Sequence, residues 1–407
     1  MKGTQAVVVG QLPLGSHRHL NKRDSELLNT YPSHNESTSM KITHVDLYEV
    51  NVPDRPWAWS DEVFGMPSHR KESILFLVVR TDAGVDGLGE VTLRFGRELV
   101  EEEVARWLGR DPLSLNLAAA TSPPDPNTAF AWTRAAFECA ILDIRGKVLG
   151  CPVSELLGGA VRERIPVSLC TGYKTVENTA RDAVWGWEHG FRTYKMKCII
   201  PEELPDLRQR VAYIVDRVEA IHREVPEMAV RPDIRRRLKE VWAAEELARR
   251  LEGHRMDCLE DPITSGAYAG TFSEWRRLRH RISFPIAEHA TAASALAMWS
   301  AGAVDYVIIG GRTATEAVRT AATVDLLGLE AWTQSVGLGV VNALTLHICA
   351  AGPSLTRPND IVGFWAKEND CVRETFPVEE GTVAAPTSPG LGVTLDMEAV
   401  EQYTVGR

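Results

Sequence analysis

Between residues 42 and 92 apolar and polar positions alternate with the period of two that a half-buried strand requires. "ITHVDLYEV" and "SILFLVVRTD" read as strands, and "DAGVDGLGEV" supplies glycine where a hairpin turn favours it. The period then changes. Over residues 97–158 apolar residues recur three and four apart, and "WTRAAFECAILDIRGKVLGCPVSELLGG" reads as helix until Gly158 and Gly159 stop it. The pattern predicts a small antiparallel sheet followed by a helical half.

Beyond residue 160 short apolar runs alternate with longer amphipathic ones. "IPVSLC", "TYKMKC", "MAVRPD", "MDCLED", "FPIAEH" and "VDYVII" are the strand candidates, and helices are expected from residues 176, 202, 236, 271, 291 and 314. Repeated βα units predict a parallel barrel, whose active site lies at the C-terminal ends of its strands. The closing stretch, "GTVAAPTSPGLGVTLDMEAV", reads as loop and strand. The expected organisation is a disordered tail over residues 1–39, an α+β capping domain over 40–160, a barrel over 161–375 and a segment over 376–407 that returns to the capping domain.

Composition narrows the function classes. The 407 residues exceed what one small core needs, and an apolar fraction of 44% with 25% charged residues is that of an ordinary soluble protein. No run approaches the roughly 18 to 20 apolar residues of a membrane span. A net charge of −10 argues against nucleic acid as partner, because that binding rests on clustered lysine and arginine. Seven scattered cysteines without CxxC spacing fit reduced thiols in a cytoplasmic protein, not a disulfide frame or a zinc site.

The chemistry sits at the strand ends. "YKMKC" points Lys195 and Lys197 to the same face of one strand, within mutual repulsion distance. Successive strands then end at Asp233, Glu260 and Glu288. One acid at a strand end is commonly a rim charge or a helix cap. Three in consecutive units, all oxygen donors, suit a hard cation such as Mg²⁺.

These residues resemble the enolase superfamily, in its mandelate racemase and muconate-lactonizing branch. The resemblance runs from Met40 to the C-terminus and rests on "AFECAILDIRGKVLGCPVSELLGG", the Lys-x-Lys of "YKMKC", "LEDPIT", "FPIAEHA", "LTLHICAAG" and "SPGLGVTLD". It implies an α+β N-terminal capping domain on a modified (β/α)₇β TIM-type barrel, a homo-oligomer, and Mg²⁺ held by Asp233, Glu260 and Glu288. In such a site Mg²⁺ stabilises the enediolate formed when a base removes the proton α to a carboxylate. By the same resemblance Lys197 is the base and Lys195 assists with charge, since a neighbouring ammonium and a divalent cation both disfavour a second ammonium. His289, beside Glu288, is a further candidate for substrate contact or catalysis.

The sequence departs from the family pattern in two places. The family's Asp-x-Asn can be laid on "VRPDIRRRL" so that Arg231 replaces an acid, or so that Asp233 remains a ligand and Arg235 replaces the asparagine. The second is preferred, because Asp233 then stands about as far from Glu260 as Glu260 from Glu288. The sixth strand ends at Ile309 and Gly310 where a second acid or base would be sought, and the seventh offers Trp332, Thr333, Gln334 and Ser335 but no histidine. His347, inside an apolar helical run, reads as a packing residue. The loop over residues 53–71, with Trp57, Trp59, Phe64, His69, Arg70 and Lys71, is expected to hang over the barrel mouth.

One visible lysine base without a second points to an Mg²⁺-dependent lyase that dehydrates a small hydroxycarboxylate, such as an acid sugar, to a 2-keto acid. A racemase, epimerase or cycloisomerase of the same family is the alternative. A barrel that has lost catalysis and only binds is the third reading.

Overall fold

The computed structural model describes residues 40–58, 73–93, 96–121, 130–198, 204–264, 272–310 and 313–405. The expected tail and most of the loop over 53–71 lie outside the described residues. Strand β1 (Ile42–Val50) pairs antiparallel with β2 (Ile74–Thr81), and β2 with β3 (Gly87–Thr92). Helix α1 (Glu98–Trp107) and the long α2 (Phe130–Leu149) follow. Only Gly84 of the glycine-rich turn takes a left-handed conformation, with φ +73°. Gly87 and Gly89, read from sequence as turn residues, instead lie within β3. A Cβ at those positions would stand 2.0 Å from the Ala140 carbonyl oxygen and 2.3 Å from that of Ala136, so glycine is what lets α2 lie on the sheet.

Helix α2 is buried on nearly all sides because it is packed between this sheet and the barrel. Three buried acids join the layers. Glu138 accepts N–H groups of Ala314 and Thr315, Asp143 accepts those of Leu88 and Leu391 together with the Lys147 ammonium, and Glu90 accepts those of Leu338 and Val341. Burial raises all three above their ordinary range, Glu90 to about 7, with the backbone N–H donors acting against it.

The larger sheet has eight parallel strands: β5 (Leu169–Thr171), β6 (Thr193–Lys197), β7 (Ala229–Asp233), β8 (Leu259–Glu260), β9 (Ile286–Ala290), β10 (Tyr306–Ile309), β11 (Glu330–Ser335) and β12 (Asp360–Ile361). They neighbour one another in chain order, and the sheet closes through Ser168 N–H to the Asn359 carbonyl at 2.9 Å and Asn359 N–H to the Pro166 carbonyl at 2.8 Å. β4 (Arg164–Pro166) pairs with β13 (Thr382–Ala384). Outside the barrel run α3 (Val176–Glu188), α4 (Leu207–Glu224), α5 (Val241–Arg250), α6 (Ser273–Arg279), α7 (Ala292–Ala301), α8 (Ala314–Leu326) and α9 (Gly339–Ala351). The last helix, α10 (Met397–Tyr403), brings Thr404 against Val50 of β1.

Two helix starts differ from the sequence reading. α4 begins at Leu207 and not at 202, with Asp206 capping it through the Arg208 N–H. α5 begins at Val241 and not at 236. Residues 234–239 form a turn in which Arg235, Arg236 and Lys239 have φ of 51°, 64° and 60°, and it bonds back through Arg236 N–H to the Asp261 carbonyl at 2.7 Å. That bond to the next strand end outweighs the helical tendency of "RRRLKE". The seven cysteines are free thiols. Among the described residues no helix is long and apolar enough to cross a membrane.

Candidate active site

The parallel register sets the site at one edge of the barrel. Lys197 pairs with Asp233, Asp233 with Glu260, and Glu260 with Ala287, one residue short of Glu288. On the far side Gln334 pairs with Asp360. Lys195, Lys197, Asp233, Glu260, Glu288 and His289 are thereby gathered at the C-terminal strand ends. Arg231, two residues below Asp233, is buried in the barrel floor, bonded to Asp257 at 2.6 Å with its guanidinium 3.8 Å from the Trp332 ring centroid. It is part of the packing beneath the site.

Lys195 is a buried ammonium enclosed by carboxylates. Its Nζ donates to Asp360 Oδ2 at 2.9 Å and lies 2.9 Å from Glu260 Oε1 and 3.5 Å from Asp233 Oδ2. Burial works against the charge, yet Asp360, Glu260 and Asp233 outweigh it and hold Lys195 well above its ordinary pKa. Asp360 is held below its ordinary value: burial raises it, and Lys195 and Lys197 more than compensate. Lys197 is half-buried at the end of β6, and its carbonyl accepts from Arg217 at 2.7 Å.

A second cluster forms around Glu288. Arg236 Nη2 bonds Glu288 Oε1 and lies 3.6 Å from Asp261, while His289 Nδ1 lies 3.1 Å from Asp261 Oδ2. Burial opposes the charge on His289, but the Asp261 bond outweighs it and raises it to about 9. Gln334 links the clusters, with Nε2 at 3.2 Å from Glu260 Oε1 and 3.3 Å from His289 Nε2. Arg235, the expected replacement for the family's asparagine, is exposed. Its neighbour Arg236 makes the contact, because the left-handed turn swings that side chain back over the mouth.

The carboxylates suit a hard cation. Asp233 Oδ1, Glu260 Oε2 and Glu288 Oε2 are buried and have no hydrogen-bond partner among the described residues. Burial first, and then like charge from Asp233 on Glu260 and from Asp261 on Glu288, raise both glutamates to about 7, against the pull of Lys195 on the one and Arg236 on the other. Among the described residues the donor atoms that lie within 4.8 Å of one another are those of Asp261, Glu288 and His289, a set that shares only Glu288 with the expected ligands Asp233, Glu260 and Glu288. Arg236 already neutralises that second group, whereas Asp233 and Glu260 share one Lys195 with Asp360.

Residues 44–158 match the N-terminal domain of the mandelate racemase / muconate lactonizing enzyme family, and residues 178–400 match the enolase C-terminal domain-like family. The chain belongs to the enolase superfamily, in its mandelate racemase and muconate-lactonizing branch. It is 28% identical to the N-succinylamino acid racemase of Thermus thermophilus over 89% of this chain and 97% of that one. It is 25% identical to the D-gluconate dehydratase of Thermoproteus tenax, over 90% of this chain and 74% of that one. The solved N-succinyl Arg/Lys racemase of Bacillus cereus has the same fold, with a TM-score of 0.74 at 21% identity over 90% of this chain and 98% of that one. This superfamily member is an enzyme, and its relatives span racemases, cycloisomerases and dehydratases. Enzymes of the branch are generally Mg²⁺-dependent.

Three contributors escaped the sequence reading, Asp360, Asp261 and Arg236, while Gln334 is named there only as a residue at the end of the seventh strand. Asp261 adjoins Glu260 in "LEDP", and Asp360 closes a short run, "RPND", that has no strand-like length to flag it.

Proposed function

We propose that this enolase-superfamily enzyme dehydrates a 2,3-dihydroxycarboxylate to a 2-keto acid. The observation that carries the reading is the one-sided distribution of groups at the mouth. Lys197 ends β6, whereas β10, across the barrel, ends in Ile309 and Gly310 with no lysine or acid among the described residues. Asp233, Glu260 and Glu288 would hold Mg²⁺ through their unpartnered oxygens. Bound there, the cation would supply positive charge to the substrate carboxylate and make its α-proton more acidic.

The chain's own residues account for the proton transfers. Lys197 takes the proton from C2, the C3–O bond breaks, and His289, held by Asp261, donates the proton that lets the 3-hydroxyl leave as water. The resulting enol tautomerises to the keto acid. Lys195, pinned by three carboxylates, keeps a fixed positive charge beside the developing negative one, and Gln334 donates to Glu260 from across the mouth.

Epimerisation at C2 is the second reading. It is favoured by His289, whose ring reaches the mouth from a different strand than Lys197 and could return a proton to the opposite face. Incubation with Mg²⁺ and 2,3-dihydroxy acids in D₂O separates the two. Keto acid supports dehydration, deuterium at C2 with inversion and no keto acid supports epimerisation, and no reaction across a broad set refutes both.

A further inference from the structure

The barrel mouth opens sideways into a cavity of about 390 Å³ that runs between the ends of β10 and β11, helices α8 and α9, and the capping helix α2. His289 and Gln334 line it, which joins it to the groups around Glu288 and Glu260 at the mouth. Its walls are largely apolar, with Ile309, Ala314, Ala317, Val341, Leu344 and Ile348 among them. No lysine or arginine lines it among the described residues.

Most of its polar side chains are already engaged. Thr333 Oγ1 donates to the Ile309 carbonyl and Thr345 Oγ1 to that of Val341, while Thr313 Oγ1 accepts the Glu316 N–H. Both Glu90 oxygens accept from the start of α9. Ser335 has a buried hydroxyl with no partner among the described residues, and Thr92 and Trp132 also bring polar atoms to the lining. A polyol entering this cavity would shed water from several hydroxyls against walls that are mostly apolar, at a cost for each hydroxyl left unmatched.

We infer that the substituent beyond C3 of the substrate is an alkyl or aryl group seated in this cavity. This rests on the reaction proposed above and narrows its substrate from the acid sugars expected from sequence to apolar dihydroxy acids. A cavity of this size takes a phenyl ring or a branched chain of several carbons. Each buried methylene should raise kcat/KM about fourfold.

The test compares 2,3-dihydroxybutanoate, 2,3-dihydroxyheptanoate, 2,3-dihydroxy-4-phenylbutanoate and gluconate, with Mg²⁺ in D₂O, reading C2 deuterium, keto acid and calorimetric affinity. The heptanoate is expected to exceed the butanoate by roughly 50-fold in kcat/KM, with gluconate below the heptanoate and the phenyl compound. Gly310→Leu is the filling variant, since a Cβ at Gly310 meets nothing within 4 Å among the described residues. It should cut the heptanoate-to-butanoate ratio at least tenfold, mainly through KM, and Ser335→Ala should leave that ratio intact. Gluconate matching the heptanoate, or a ratio unmoved by Gly310→Leu, overturns the inference. If no compound exchanges, binding separates the two ideas: heptanoate affinity lowered by Gly310→Leu upholds the cavity and refutes the proposed reaction, and absence of binding overturns the cavity as well.

Discussion

Acidification should remove about 3 kcal/mol of folding stability through one residue, His347, and His347→Gln should abolish that component. The imidazole is fully buried in α9. Its Nδ1 accepts the Ser154 N–H at 3.2 Å, which leaves Nε2 to donate to the Leu391 carbonyl at 3.1 Å. A second proton would have to sit on Nδ1, facing an N–H that is itself a donor. Burial therefore lowers His347 from its ordinary 6.5 to about 4, with the Leu391 carbonyl only partly opposing. Between those values the unfolded chain binds the extra proton and the folded one does not, so stability is complete above pH 6.5 and falls as pH drops toward 4. At about 1.4 kcal/mol per tenfold change in proton affinity, the loss is ~2 kcal/mol by pH 5 and ~3 kcal/mol by pH 4.

Urea unfolding followed by tryptophan fluorescence at pH 7.5, 6 and 5 measures this as a difference between wild type and His347→Gln. The difference is needed because Glu90, Glu260 and Glu288, all raised to about 7, contribute with the opposite sign over the same window. The variant should be the less stable protein at pH 7.5, having lost the Ser154 bond, and the gap should shrink by ~2 kcal/mol at pH 5. A gap that stays constant from pH 7.5 to pH 5 refutes the reasoning.

Lys197→Met should lower turnover by at least the roughly 10²-fold typical of losing a general base, with Mg²⁺ affinity retained by calorimetry; near-wild-type turnover would move the base to His289. Glu260→Gln should weaken Mg²⁺ severely, and equal affinities for variant and wild type in a calorimetric titration would sink the ligand assignment. Lys195→Met should lower stability by about 3 kcal/mol or more, because it leaves Asp233, Glu260 and Asp360 buried without their shared ammonium; an unchanged urea midpoint would show that the cluster relaxes by protonation instead.

The fold class was legible because local pattern carries it: "TYKMK", "AVRPD" and "IAEHA" are short, apolar and flanked by helical periodicity, and a strand of a parallel barrel places its functional side chain at its C-terminal end. Lys195, Lys197, Asp233, Glu260 and Glu288 could therefore be named from chain order. Their partnerships could not. Asp360 meets Lys195 across 165 residues, Arg236 meets Glu288 across 52, and Glu90 caps α9 across 248, distances over which residue patterning carries no signal. The choice of Arg236 over Arg235 depended on two left-handed φ angles in a turn that reads as helix, and the role of Gly87 and Gly89 on how closely α2 approaches β3. The apolar cavity lies in the same category. Its walls come from seven separate elements, most of which would be read from the sequence as ordinary core, and only where their packing stops short does a space for a substrate remain.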